Sequence, residues 1–302
     1  MVNIKIDAVQ FRLKEYQDFS WLKNYGTVFC VFDQTGSGCI SFGVDSGKKK
    51  YFVKIAGVKT VEAELTSTEA VTTLKNAMNI YEDLKHPSLI KIFEHYPLSE
   101  YYVAVFEWVE GECLFDHWNF EKYSNSPHIK SPALKFKELP IRKRLESVET
   151  LFSFLAAAAD KDYVAVDFYD GSIIYDFDTD ITTICDIDFF RKKPTINDIG
   201  EDFFGTKRLK APEEYAYGST IDEITNVYTL GALIFNVFGN YTDAEIRQRY
   251  DRNAFSPCSL VNWELNKQCY DSVLKSVALD RNKRYGSIAD FRTAWDNALF
   301  VN

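Results

Sequence analysis

The sequence predicts an α+β protein of two lobes, a small β-rich N-terminal lobe over residues 1–109 and a larger helical lobe over 110–302. Three observations carry this. Apolar residues alternate with period two between glycine-rich turns from Tyr25 to Gly57, and two further strand-like runs follow at 89–109. Past residue 140 the apolar spacing becomes helical. At 302 residues, 46% of them hydrophobic, the chain can bury one large core or two ordinary ones.

In order, "YGTVFCVF", "CISFGV" and "YFVKIAG", separated by the turns "DQTGSG" and "DSGKKK", read as a three-stranded antiparallel meander. A helix is expected from roughly Thr66 to Lys85, where Val71, Leu74, Ala77, Met78, Tyr81 and Leu84 recur at helical spacing. Pro87 stops it, because proline disfavours helix in the residue before it. "LIKIFEHY" and "YYVAVFEWV" complete the strands of the first lobe, which joins the second near Glu107–Gly111. Residues 115–140 are polar and Lys-rich and read as an irregular or helical insertion. A helix follows over about Pro140–Asp160, with the apolar body "LESVETLFSFLAAAA". Then comes "YVAVDFYDGSIIYDFDTDITTICDIDFF", short strands carrying seven aspartates. From Ala211 the chain reads as mostly helical, including the near-apolar "VYTLGALIFNVF" and a last helix, "SIADFRTAWDNAL".

The net charge of −9 argues against a nucleic-acid or anionic-membrane binder, since phosphate affinity comes from clustered Lys and Arg. No run reaches the roughly 18 apolar residues of a membrane span, and the N-terminus lacks a signal-peptide core. Six scattered cysteines without CxxC pairs read as buried thiols, and a cytoplasmic location is expected.

Several stretches carry chemistry. Gly36, Ser37 and Gly38 form a turn between two strands where backbone amides can approach phosphate oxygens without a Cβ in the way. Lys54 lies inside a strand among Phe52, Val53 and Ile55. Asp167 sits among apolar residues, where a carboxylate is costly unless it has a task or a partner. Period two puts Asp186 and Asp188 on one strand face, and two such carboxylates repel unless a cation lies nearby. Hard Mg²⁺, shared with phosphate oxygens, is the natural counter-ion. Asp176, Asp178 and Asp180 read as decoration of a solvated turn.

These motifs, in this order from about Phe19 to Ala298, resemble the eukaryotic-like Ser/Thr protein-kinase family, as a divergent member of the bacterial type. The resemblance implies a bilobal protein-kinase-like fold. It makes "TGSGCISFGV" the Gly-rich loop, with Ser41 where the third glycine would stand. Lys54 matches the V-A-I-K lysine that holds the ATP phosphates. Phe106 is gatekeeper-like, and the backbone of Glu107, Trp108 and Val109 is the segment that meets the adenine. "AVDFYDGSII" matches H-R-D-x-x-x-x-N-I-L, with Asp167 as the catalytic base, Ala165 and Val166 replacing His and Arg, and Ser172 replacing the metal-binding Asn; Asp170 is either a loop residue or a substitute metal ligand. "CDIDFF" stands for D-F-G. Asp186 is favoured as its aspartate, and the shifted register Asp188-Phe189-Phe190 stays open. "GTKRLKAPEEY" resembles the end of an activation segment, with Glu213 paired to Arg284 of "DRNKRYGSI". Asn226 replaces the aspartate that braces the catalytic loop. The helix glutamate that partners the lysine has no clear equivalent, Glu69 being the nearest and Glu62 and Glu64 the others. The implied activity is ATP- and Mg²⁺- (or Mn²⁺-) dependent transfer of the γ-phosphate to a protein hydroxyl. A small-molecule kinase and a pseudokinase that binds nucleotide or a partner without turnover are the alternatives.

Overall fold

The computed structural model describes residues 1–33, 36–115, 120–126, 128–242, 244–245 and 255–300. The chain divides into two compact units, one built from Met1–Lys85 and Leu89–Glu110, the other from His86–Ser88 and most residues from Gly111 onward. The protein is α+β, with a sheet-rich N-terminal region and a helical C-terminal part.

In the smaller unit, β3 (Thr27–Phe32), β4 (Cys39–Asp45), β5 (Lys50–Ala56), β6 (Ile92–Leu98) and β7 (Tyr101–Glu107) form an antiparallel sheet of order β3-β4-β5-β7-β6. Period two gives the sheet two chemically distinct faces. Ile40, Phe42, Val44, Val53, Ile55, Val103 and Val105 point to one, and an N-terminal hairpin of β1 (Val2–Ile6) and β2 (Val9–Leu13) covers it with Ile4, Phe11 and Leu13. The rings of Phe11, Phe19 and Phe42 meet there at 5.1–5.7 Å, and each buried ring contributes roughly 1.5–3 kcal/mol. The sequence reading did not include this hairpin. Helix α1 (Ser67–Asp83) packs on the other face, where Tyr81 meets Phe106 at 4.9 Å. It begins one residue inside the expected span, because Thr66 caps it: the Glu69 N–H donates to Thr66 Oγ1, and Glu69 Oε2 accepts from Thr66 N.

In the larger unit, α4 (Ile141–Asp160), α5 (Glu223–Phe238), α6 (Lys267–Ser276) and α7 (Ile288–Leu299) share a core. Phe152 meets Phe291 at 5.1 Å, and Phe235 meets Tyr270 at 5.6 Å. Helix α5 is apolar all round and accordingly buried nearly all round. Short strands place the loops: β8 (Glu112–Cys113), β10 (Ile173–Asp176) and β11 (Ile181–Ile184) form one sheet, and β9 (Tyr163–Val164) pairs with β12 (Arg191–Lys192). The 115–140 stretch carries helices α2 (Phe120–Asn125) and α3 (Pro132–Lys137). Among the described residues no helix is long and apolar enough to cross a membrane.

Candidate active site

Each unit carries part of the expected chemistry. In the smaller one, Lys54 is half-buried on β5, opposite Ser41 of β4 and Ala104 of β7. It shares a face with Phe52 and Phe106. Gly38 has φ +69°, and a side chain there would meet Ala70 Cβ at 2.9 Å, so this glycine turn is pressed against the start of α1. The Gly36 carbonyl accepts from Glu64 N at 2.9 Å, tying the turn down from its other side. Gln34 and Thr35, which open the turn, lie outside the described residues. The Glu69 carboxylate caps the first turn of α1, where its Oε2 accepts from Thr66 N and Thr66 Oγ1. In the hinge-like segment Phe106 is buried, Glu107 N donates to Lys91 O (2.8 Å), and Trp108 N donates to Lys50 O (3.3 Å). The Lys91 N–H is taken by the Glu107 carboxylate at 2.9 Å. Recognition of a base through the N–H groups of Glu107 and Trp108 is therefore forestalled by the sheet itself.

In the larger unit, the loop after β9 is held by an amide clasp. Asn226, in the first turns of α5, accepts from Ala165 N and donates to Ala165 O, both at 2.8 Å. The clasp satisfies a buried main chain that no strand could reach. Asp167 follows with φ +57°, the left-handed region that Asp tolerates better than most residues. Tyr169 folds back over Gly171, where a Cβ would lie 2.3 Å from the ring, so only glycine allows this turn. Burial, then the charges of Asp186 and Asp167, hold the Tyr169 phenol above its ordinary value. Both carboxylates thus act on the phenol through their charge.

The short turn Asp170–Ser172 closes the loop. The Ser172 carbonyl accepts from Cys185 N at 2.9 Å, which brings Ser172 alongside the residue preceding Asp186. Ser172 is fully buried, and its hydroxyl has no hydrogen-bond partner. A buried hydroxyl without a partner costs roughly 1–3 kcal/mol. Asp170 does not offer itself as a metal ligand: the Arg208 guanidinium donates to both of its oxygens, the Nη1–Oδ2 bond being 2.9 Å. Arg208 also lies over the Phe115 ring at 4.2 Å.

The strand alternation expected at Asp186 and Asp188 is absent. β11 ends at Ile184, and the backbone turns at Asp186 with φ +52°. Asp186 is exposed and Asp188 is buried at 7%, so the two do not share a face. The aspartate-rich turn is also more engaged than expected. Asp176 accepts from Asp178 N at 2.9 Å, an Asx turn, whereas Asp180 accepts from the Tyr175 hydroxyl and pairs with Lys143 at 2.6 Å. Among the described residues no three His, Cys, Asp or Glu side chains converge to hold a metal. The donors suited to Mg²⁺ here are Asp186 and the orphaned Ser172 hydroxyl, a set that needs phosphate oxygens to complete it, as Mg²⁺ sites on phosphate substrates commonly do.

Segment 205–215 was read for Glu213 alone, yet it also supplies Arg208, Lys210 and Glu214. A water-sized cavity of about 10 Å³ is lined by Asp167, Thr206, Lys210, Glu214 and Thr229 among others. Lys210 Nζ donates to Phe203 O (2.6 Å) and Glu201 O (3.0 Å), and Glu214 Oε2 accepts from Ala211 N (2.6 Å). The run of basic residues and the doubled acid in "GTKRLKAPEEY" was the available signal.

Burial pushes Glu214 up to about 8 against the pull of the Ala211 N–H, with the Glu213 and Asp167 charges adding to the rise and Lys210 opposing it. The folded protein thus holds this proton more tightly than the unfolded chain, whose glutamate releases it near pH 4.3. Stability from the neutral acid is complete below that pH and is lost as the pH rises toward about 8. Glu214→Gln keeps an acceptor for Ala211 and cannot ionise. It is expected to raise the thermal midpoint at about pH 8 and to leave it nearly unchanged at about pH 4.5. An equal shift at both pH values would reject ionisation as the cause.

No protein-family model matches the sequence, and no curated protein matches it.

Proposed function

We propose that the chain is an ATP-dependent phosphotransferase of the protein-kinase kind, transferring the γ-phosphate to a Ser or Thr hydroxyl with Asp167 as base. The observation that supports this most is the grouping in the larger unit: Asp167 on a loop clasped by Asn226, and Ser172, with an unpartnered hydroxyl, bonded through its carbonyl to the residue before Asp186, while the charges of Asp167 and Asp186 both act on the Tyr169 phenol. Asp167 accepts the hydroxyl proton of the acceptor and orients its oxygen. Lys54 holds phosphates of the donor by charge and hydrogen bonding. Asp186 and Ser172 would hold a Mg²⁺ or Mn²⁺ ion, which when bound neutralises charge on the phosphates. The buried Glu213–Arg284 pair, which fixes segment 205–215, favours a protein acceptor docked on that segment. Radiolabelled γ-phosphate transfer from ATP, to the protein itself and to generic protein substrates, tests the reading.

A second reading, a nucleotide- or partner-binding module without turnover, has its own support in Glu69, committed to a helix cap, and Asp170, committed to Arg208. Metal-dependent ATP binding with no transfer to any acceptor would favour it.

Ser172→Ala separates a metal-binding hydroxyl from a merely buried one. Deleting a buried hydroxyl without a partner is expected to leave the unfolding midpoint unchanged or slightly higher. The Mg²⁺ needed for half-maximal transfer is expected to rise about tenfold or more. A metal requirement that does not move would remove Ser172 from the site.

A further inference from the structure

The sheet face that carries Lys54 is ordered along its strands. At one end lies a row of aromatic residues. Lys54 is one strand pair further on, and the glycine turn Gly36–Gly38 is at the far end. The rows follow from the register: Cys30↔Gly43, Gly43↔Phe52 and Phe52↔Phe106 make the first, and Ser41↔Lys54↔Ala104 the second. Aromatic surface, then a cation, then backbone amides is the order in which a nucleotide offers its base, its inner phosphates and its outer phosphate.

One residue gives the aromatic end its form. The β3–β4 pairing shifts between Val28 and Cys30, so Phe29 is the extra residue of a β-bulge, a device that re-aims a side chain. Its ring comes to lie on this face, over Gly43. A Cβ on Gly43 would meet Phe29 Cζ at 2.6 Å and Cys30 Sγ at 2.5 Å, so the glycine is what admits the ring. Phe29 packs edge-on against Trp108 at 4.8 Å and remains 39% exposed. Phe52 stands between Phe32 (5.8 Å) and Phe106 (6.3 Å).

Telling one base from another requires donors and acceptors placed against its edge. Here the N–H groups of Glu107 and Trp108 are committed to the sheet, and the Glu107 carboxylate is committed to Lys91. A single main-chain N–H or C=O, such as those of Val109, finds a partner on every base, since each base edge carries both donors and acceptors. What the face offers is aromatic surface, and stacking tolerates any base because every base has a π-face.

We infer that the donor site holds its nucleotide by stacking the base on Phe29 and accepts purine and pyrimidine triphosphates alike. This rests on the phosphotransferase reading and sets its donor class. The test is calorimetric titration of the full chain with ATP, GTP, CTP and UTP in Mg²⁺, repeated on Phe29→Ala and Phe29→Tyr. The four nucleotides are expected to bind within about fivefold of one another. Phe29→Ala is expected to weaken all four by a common factor of about 5- to 100-fold, and Phe29→Tyr to restore them. Phe29 is partly exposed, and circular dichroism confirms that the variants fold. ATP binding at least about 50-fold tighter than the others, or Phe29→Ala leaving all four unchanged, would overturn the inference while sparing the phosphotransferase. If none of the four binds, the phosphotransferase reading falls, and the inference with it.

Discussion

Replacing Asp167 by Asn is expected to lower phosphoryl transfer about 10³-fold while leaving nucleotide binding unchanged. Asparagine is the cleaner substitution for a conformational reason. Asp167 has φ +57°, and Asn tolerates the left-handed region at least as well as Asp, whereas Ala would add backbone strain to the loss of the carboxylate. The variant removes the proton acceptor and leaves the Asn226 clasp on Ala165 in place. Steady-state transfer and nucleotide titration on the same preparation check both halves. Transfer that survives in the variant would show that Asp167 is not the base, and a loss of nucleotide binding would show a structural role instead.

The largest stability effect is expected at Arg284. Its Nη1 and Nη2 donate to Glu213 Oε1 (2.6 Å) and Oε2 (2.9 Å), its Nε donates to Ala278 O (2.7 Å), and the Tyr228 ring lies 4.7 Å from the guanidinium. Both partners are buried, Arg284 at 5% exposure and Glu213 at 8%. Removing one partner leaves the other as an uncompensated buried charge, so Arg284→Met is expected to cost about 3–5 kcal/mol. The thermal midpoint would fall on the order of 10 °C. Adding Glu213→Gln should recover part of the loss, since it removes the stranded carboxylate; a double variant no better than Arg284→Met would deny the coupling. Burial raises the Glu213 carboxyl, but the Arg284 bonds outweigh it and hold the group below its ordinary value. That stabilisation is present above about pH 4.3 and is lost as the pH falls through the folded value.

The parts of the sequence with strong period were legible. The meander from Thr27 to Ala56, helix α1 and the apolar α4 and α5 lie within a few residues of where their patterns put them. The Glu213–Arg284 pair was legible from two motifs, because a buried charge needs its opposite. The N-terminal hairpin was missed although its signal is present: Val2, Ile4 and Ile6, then Val9, Phe11 and Leu13, alternate with polar residues at period two. The shared face for Asp186 and Asp188 was misread in the opposite sense: period two holds only while the strand lasts, and nothing local marks the left-handed turn at Asp186. Arg208 and Glu69 were beyond reach, since a charged side chain's partner is set by the fold. Glu69 three residues after Thr66 is a capping-box spacing, which was the one signal available for it.

The Asn226 clasp ties together two positions far apart in the sequence. An amide presents a donor and an acceptor together, and Ala165 answers with the complementary pair, N–H against C=O. A carboxylate at 226 would match one half and set an oxygen against the Ala165 carbonyl. Substitution to aspartate alone is thus disfavoured, although it is a small chemical step. An aspartate at 226 would call for a matching change in the loop at 165–166, so the two positions are coupled.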